Sequence, residues 1–318
     1  MPVSKHANLQ AKVDKLHMLK IVTSCKSEAL LHDVCCDTNS TSCMYSECQQ
    51  CEGKNVDFQM TNAPDDSMTV VWSEWVNEKK SYEKDGIIKT AKMTHKKLQH
   101  ETVADLKSKV NEEVHGAFSK HVYNIRHQFR AYRNLKNSLE QHEVVIHVDF
   151  SENYSCRYFS EVQACNFGAS NCQATLHTGI LYTADGHVSF VTISSCLRHD
   201  AAAVWAYLRP VLQQLRETHP LVTMLHFFSD GPTTQYRNKD NFYFLSTETH
   251  ALGFDAATWN FFESGHGKGA PDAIGGALKR KADCMLNAGY DSQDAKKLYD
   301  RRPVQRFLCS NNMSGCQQ

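Results

Sequence analysis

An α/β fold with a mixed five-stranded sheet flanked by helices is predicted for residues 143–290. Three observations predict it. Short apolar runs recur between stretches of helical periodicity. The first three runs follow one another with no helix between, and the next two each follow a helix. Pro271 near the start of the last helical stretch and Gly289 at its end fit helix punctuation.

The first run, Val144 to Phe150, is dense in Val and Ile and reads as a buried strand containing Asp149. Gln173–Tyr182 and His187–Ser194 are two further strands, joined by the turn Ala184-Asp185-Gly186. Asp200 is placed to cap a helix to about Thr218, with Val204, Leu208, Val211, Leu212 and Leu215 facing inward. Leu221–Ser229 is the fourth strand and runs straight into Asp230. A helix over 234–252 stops at Gly253, and Ala256–Glu263 is the fifth strand. The glycine-rich loop 264–270 leads through Pro271 into a third helix ending at Gly289. The short turn makes the early strands antiparallel. The helical crossovers set the fourth and fifth parallel to the first.

Upstream, Leu9, Val13, Leu16 and Leu19 mark a short amphipathic helix. Residues 25–53 are rich in Cys, Ser, Asp and Asn and poor in aliphatics, so they need a staple other than a core. Residues 54–66 read as a linker. Residues 77–97 are polar and Lys-rich, and from about Glu101 to Leu139 apolar residues recur every three or four positions. Those steps predict one long helix, or two in tandem with a bend at Gly116. The expected organisation is a helix and Cys-rich zinc module over 1–66, a basic helical region over 67–142, the α/β domain over 143–290, and a helix and tail over 291–318.

In that sheet the first and fourth strands are neighbours, so Asp149 and Asp230 lie side by side, and Asp272 in the first turn of the last helix joins them. Three converging carboxylates repel one another unless cations intervene. Two Mg²⁺ or Mn²⁺ ions are the expected resolution, because hard cations take carboxylate oxygen. Such a pair serves phosphodiester chemistry. Asp230 also suits a turn, and Asp272 a helix dipole. Glu263 rivals Asp272 or adds a fourth ligand.

The loop lacks the GxxxxGK[ST] pattern, since Gly269 follows Lys268, which argues against nucleotide hydrolysis. It is instead expected to border the carboxylates, with its backbone and Lys268 approaching a nucleic-acid phosphate. His266 is a general acid/base, a phosphate contact or a plain loop histidine. Lys279, Arg280 and Lys281 either track a backbone or form a solvated helix face. Gln235, Arg237 and Asn238 follow Asp230 and support the site or touch substrate.

A second constellation is Cys36, Cys43, Cys48 and Cys51, in which Cys48 and Cys51 form a CxxC half-site. Four thiolates close a tetrahedral Zn²⁺ site. Cys25, His32 and Cys35 are substitute ligands. The remaining cysteines (156, 165, 172, 196, 284, 309, 316) are expected to be small buried hydrophobes.

The words VDFSENYSC, NFGASNCQATLHTG, SDGPTTQYRNKDNF and GHGKGAPDAIGGALKR, with the Asp149/Asp230/Asp272 layout, resemble the DDE/D transposases and integrases of the ribonuclease-H-like superfamily. They look most like transposon-derived animal proteins with an upstream cysteine cluster. The resemblance spans roughly residues 36–300. Forty-one residues separate Asp230 from Asp272 and thirty-two separate it from Glu263. Both gaps are near that class's spacing, but the family's third acid lies on the helix after the fifth strand. The resemblance implies a ribonuclease-H-like fold and metal-dependent DNA hydrolysis and strand transfer, by chains that work as multimers. A catalytically silent, domesticated binding module and a nuclease on the same fold are the alternatives.

Composition narrows the setting. Lys+Arg and Asp+Glu are both 35, so net charge gives no global sign of nucleic acid. The segment 78–137, however, carries fourteen Lys/Arg against seven Asp/Glu. It either contacts nucleic acid or forms solvated helix faces. No apolar run is long enough to span a membrane, and no signal peptide opens the chain. With an odd thirteen cysteines, this suggests a nuclear or cytoplasmic rather than secreted protein.

Overall fold

The computed structural model describes residues 3–59, 64–84, 87–160, 172–292, 294–299 and 305–308. It divides into two compact units, Met1–His127 and Gln128–Gln318.

In the first unit, helix α1 (Val3–Met18) buries Leu9, Val13 and Leu16. The short helices α2 (Leu31–Val34) and α3 (Thr41–Met44) add Leu31, Val34 and Met44 to the same core. The Cys-rich segment therefore shares a core it could not build alone. Strands β1 (Thr69–Lys84) and β2 (Ile87–Thr102) pair antiparallel over their whole length. This corrects the helical expectation for the start of 67–142. Most of the ribbon is wetted on both faces, so its sequence shows neither the period of two nor that of 3.6 that marks a half-buried element.

Helix α4 (Val103–Glu113) begins at a capping box between Thr102 and Asp105. It passes through a π-helical turn, Val114–Phe118, into α5 (Ser119–Asn137). That turn contains Gly116. The apolar stripe serves two cores in succession: Val103 to Val122 lie in the first unit's core, and Phe129, Tyr132, Leu135 and Leu139 in the second unit's.

The second unit is a mixed sheet of five main strands: β3 (Glu143–Ser155), β4 (Gln173–Thr183), β5 (Gly186–Ser194), β6 (Met224–Ser229) and β7 (Ala256–Phe261). The helices are α6 (Ala201–Thr218), α7 (Lys239–Ala251), α8 (Ala270–Asn287) and α9 (Ala295–Tyr299). A short strand not expected from the sequence, β8 (Gln305–Leu308), runs parallel to β5 at the edge. The order is β7-β6-β3-β4-β5-β8. β3 is antiparallel to β4 and parallel to β6, and β6 is parallel to β7, as the connections require. Asp200 caps α6 as expected, accepting the Ala203 N–H at 3.0 Å.

Alternation along β3 sorts the two faces. Val144, Ile146 and Val148 pack with Val204, Leu208 and Leu212 of α6. Val145 packs on the opposite side with Tyr132, Phe228 and Phe262. His147 and Asp149 share that second face by the period of two. Helix α8 covers the same face closely: a Cβ added at Gly275 would lie 2.6 Å from Ser151 Oγ. Helix α7 starts later than the expected 234, because Asn238 is its cap and accepts the Asn241 N–H at 2.9 Å.

Candidate functional site

β3 and β6 pair in register as far as His147 and Phe228, and Asp149 and Asp230 each lie two residues further on. The parallel register therefore sets the two acids abreast. Asp272 occupies the first turn of α8, where its Oδ2 accepts the Gly269 N–H at 2.9 Å. The loop before α8 runs tightly over this corner. A Cβ at Gly267 would fall 2.5 Å from that of Asp230, and one at Gly269 would meet His147 Cε1 at 3.0 Å. Only glycine lets the backbone pass there.

Asp149 and Asp230 both feel the neighbouring acids. Burial, then the charges of Asp230 and Asp272, push Asp149 up to about 7, against the opposing Phe150 backbone and Lys268. Burial and the charge of Asp272 raise Asp230 as well. Asp230 Oδ1 is buried without a hydrogen-bond partner among the described residues. A buried carboxylate oxygen in that state costs stability unless something electropositive meets it. The donor set is all oxygen, which suits Mg²⁺ or Mn²⁺ rather than a softer ion.

Asp230 and Glu263 line one cleft of about 510 Å³, together with Gln128, Arg237 and Trp259. Gln128 Oε1 accepts the Glu263 N–H at 2.6 Å, and the Arg237 guanidinium lies 5.7 Å from the centre of the Phe261 ring. Lys268 is exposed, and its charge reaches Asp149. His266 is half-buried, its N–H donating to the Glu263 carbonyl at 2.9 Å, and it does not line the cleft. Gln235 and Asn238 belong to the turn before α7, where Asn238 Nδ2 donates to the Gln235 carbonyl at 3.1 Å. Lys279 is half-buried and Arg280 and Lys281 are exposed on α8; none of them lines the cleft.

Two residues beside the acids were not singled out in the sequence. Tyr236 is fully buried, and burial with the charges of Asp149 and Asp230 holds its hydroxyl well above the ordinary value. His147 is buried, and its Nδ1 lies 3.3 Å from the Tyr132 hydroxyl. Burial lowers it to about 4, against the Gly267 backbone and the Asp272 charge. Its position two residues before Asp149, on the same strand face, was the available signal.

In the first unit, the Sγ atoms of Cys36, Cys43, Cys48 and Cys51 lie within 4.8 Å of one another. Cys36 Sγ is 3.3, 3.7 and 3.4 Å from those of Cys43, Cys48 and Cys51. Four thiolates at tetrahedral zinc, with bonds of ~2.3 Å, stand about 3.8 Å apart. The Cys36 N–H donates to Cys51 Sγ at 3.2 Å, the kind of second contact that steadies a thiolate ligand. A hydrogen bond from Cys36 pushes Cys43 down to about 6. The four thiols could thus hold a metal ion such as zinc. Cys35 turns away, its Sγ lying 3.7 Å from the Cys43 carbonyl and from Met44 Sδ, and it belongs to the core. Neither Cys25 nor His32 joins the cluster.

Of the other cysteines, Cys156 is buried, but Cys172 and Cys284 are exposed and Cys196 is disulfide-bonded, contrary to expectation. Cys165, Cys309 and Cys316 lie outside the described residues. Among the described residues no helix is long and apolar enough to cross a membrane.

No curated protein matches the chain. Among solved structures, the human cytomegalovirus terminase nuclease domain, Mn soaked and inhibitor bound, is similar at 8% identity with a TM-score of 0.27. The match covers 58% of this chain and 73% of that one. Residues 128–303 match the family model described as a domain of unknown function, DUF8701. That match takes in more than half of the chain and every acid of the cluster, and the chain belongs to the DUF8701 family.

Proposed function

We propose that the second unit is a ribonuclease-H-like domain of transposase type, which hydrolyses DNA phosphodiester bonds and transfers the resulting 3′ end to a target. The observation that carries this reading is the charge coupling of Asp149 and Asp230 to each other's neighbourhood and to Asp272, with Asp230 Oδ1 buried and without a hydrogen-bond partner among the described residues. The strand order and the mixed pairing of the sheet support it too.

On this reading Asp149, Asp230 and Asp272 hold two Mg²⁺ or Mn²⁺ ions, with Glu263 available from the wall of the same cleft. Such ions, when bound, supply Lewis acidity at the attacking and leaving oxygens. The chain supplies the rest. Gly267 and Gly269 keep the loop low over the acids, so that backbone N–H groups can approach a phosphate. Lys268 adds a positive charge beside Asp149. Tyr236 and His147 are buried beside the acids, Tyr236 within reach of the charges of Asp149 and Asp230 and His147 within reach of that of Asp272.

Residues 1–66 serve as a module stapled by one structural zinc on Cys36, Cys43, Cys48 and Cys51. The protein acts on DNA in the nucleus, as a homo-oligomer. The test is cleavage of duplex DNA with Mg²⁺ or Mn²⁺ by the full chain. Asp149→Asn and Asp230→Asn should each reduce the rate by ~10²–10³-fold, the scale of losing a principal electrostatic contributor. Equal rates in wild type and either variant would remove the proposal.

A further inference from the structure

The ribbon of β1 and β2 is far longer than its anchorage. Its root is firmly held. Val70 and Trp72 enter the core, and Lys12 bridges Glu74 at 2.7 Å and Glu113 at 2.6 Å. Asn8 brackets the backbone of Trp75, accepting its N–H at 2.7 Å and donating to its carbonyl at 2.9 Å. Beyond that point the support ends. Residues 79–83, 88–90 and 92–94 are all exposed, on both faces of the ribbon. A two-stranded ribbon without a packed face is marginal in water, and open strand edges invite pairing.

The two faces differ in how their charges are arranged. On one, the cross-strand pairs run Trp75–Lys96, Asn77–Thr94, Lys79–Lys92 and Ser81–Thr90. Lys79 and Lys92 stand directly opposite each other, an arrangement that costs stability while no anion lies between them. Lys96 Nζ lies 5.2 Å from the centre of the Trp75 ring, and Thr94 donates to Asn77 Oδ1 at 2.6 Å. No acid interrupts these four pairs, and Glu83 enters the face only at the next one, opposite Ile88. On the other face Glu78 lies 3.6 Å from His95 and 3.7 Å from Lys97, while Lys80 and Lys89 stand opposite Ala91 and Tyr82 rather than opposite another lysine.

We infer that the Lys79–Lys92–Lys96 face docks on duplex DNA, with each lysine meeting a phosphate. This names a binding surface for the substrate class proposed above and rests on that reading. A two-stranded ribbon fits the major groove in width. Asn77, Thr94, Ser81 and Thr90 supply neutral hydrogen-bonding groups between the lysines. Exposed Ile88 and Leu98, on the same face, offer apolar contacts of the kind thymine methyls accept. A second copy of the chain is disfavoured as the occupant, because a two-fold contact would bring this lysine row against itself.

The test is fluorescence anisotropy of the full chain on a short duplex, titrated from ~50 to ~200 mM salt. The triple variant Lys79→Gln/Lys92→Gln/Lys96→Gln should bind on the order of 10²-fold more weakly at ~0.1 M salt, and its log–log salt slope should be shallower by about 2.7. The opposite-face triple Lys80→Gln/Lys89→Gln/Lys97→Gln removes the same charge and should cost only a few-fold. Circular dichroism checks that both remain folded; all six positions are exposed. Equal losses in the two triples, an unchanged first triple, or no binding by wild type would each overturn the assignment. So would a first triple whose oligomeric state changes in light scattering while its DNA affinity does not. Asp149→Asn separates the two readings, since it should abolish cleavage while the difference in affinity between the two triples persists in its background. If no protein cleaves but the first triple alone loses affinity, the ribbon stands and the catalytic reading falls. If wild type cleaves and both triples bind alike, the ribbon assignment alone fails.

Discussion

Replacing Asp149 by Asn should make the metal-free protein more stable while removing its response to divalent cations. Burial and the charges of Asp230 and Asp272 raise the Asp149 carboxyl from the ordinary range to about 7. A group whose folded pKa lies above its unfolded value favours the fold fully at pH below ~4, and that contribution is lost as pH rises through about 7. Holding the carboxylate ionised at pH 8 corresponds to about 4 kcal/mol, and solvent entering the cleft reduces this to about 2–3. Asn keeps the shape without the charge. With chelator at pH 8, Asp149→Asn should therefore melt about 5–10 °C above wild type, and the difference should vanish below pH ~5. Excess Mn²⁺ should raise wild type by ~2.7 kcal/mol at a hundred times its dissociation constant, and the variant by far less. Differential scanning calorimetry reads both effects on the transition of the second unit. If the variant melts at or below wild type in chelator at pH 8, or shares the Mn²⁺ shift, the carboxylate-repulsion reasoning is wrong.

The cysteine cluster should carry one zinc per chain by plasma mass spectrometry. Chelation or Cys48→Ser should unfold the first unit, seen as loss of near-ultraviolet dichroism; a chain that is metal-free and melts like Cys48→Ser would remove the zinc site. His177 is fully buried between Phe150 and Tyr207, both its ring nitrogens lack a hydrogen-bond partner among the described residues, and burial lowers it to about 3. Its folded pKa is depressed, so stability is intact above pH ~6.5 and declines toward about 3 as the unfolded chain takes up a proton. His177→Phe should flatten that acid limb in urea melts at pH 6 to 4, and an unchanged limb would show that His177 protonates while folded.

The sheet was legible because burial on both faces writes itself as apolar runs, and because short turns and helical crossovers leave few ways to pair five strands. Asp200 was legible as a cap because its chemistry is local. The ribbon was not legible, since Glu, Lys and Thr on both sides erase alternation. Neither was β8, four residues long and too short for a period. At the acid corner, the terminal positions of Asp149 and Asp230 followed from the strands. Tyr236 was hidden in a polar run, and only the fold turns it inward. Lys279, Arg280 and Lys281 gave a charge signal that local sequence cannot orient, and the helix carries them away from the cleft lining.

The contest between Asp272 and Glu263 turns on what each acid already does. Asp272 spends one oxygen on the Gly269 N–H, at the junction where the loop becomes α8. That contact does not disqualify it. It fixes the carboxylate at a helix N-terminus, and its charge there is felt by Asp149, Asp230 and His147 alike. On the proposed chemistry, a carboxylate held by its own backbone beside two other acids is preorganised, which is what a metal corner needs. Glu263 follows β7 and is anchored through its N–H to Gln128, with a longer side chain on the wall of the cleft. Its freedom suits it to meet a cation that substrate has already drawn in. On the proposed chemistry the two acids are then not alternatives. Asp272 completes the resident site, and Glu263 joins from the substrate side, so removing Asp272 should abolish cation binding while removing Glu263 should chiefly slow turnover.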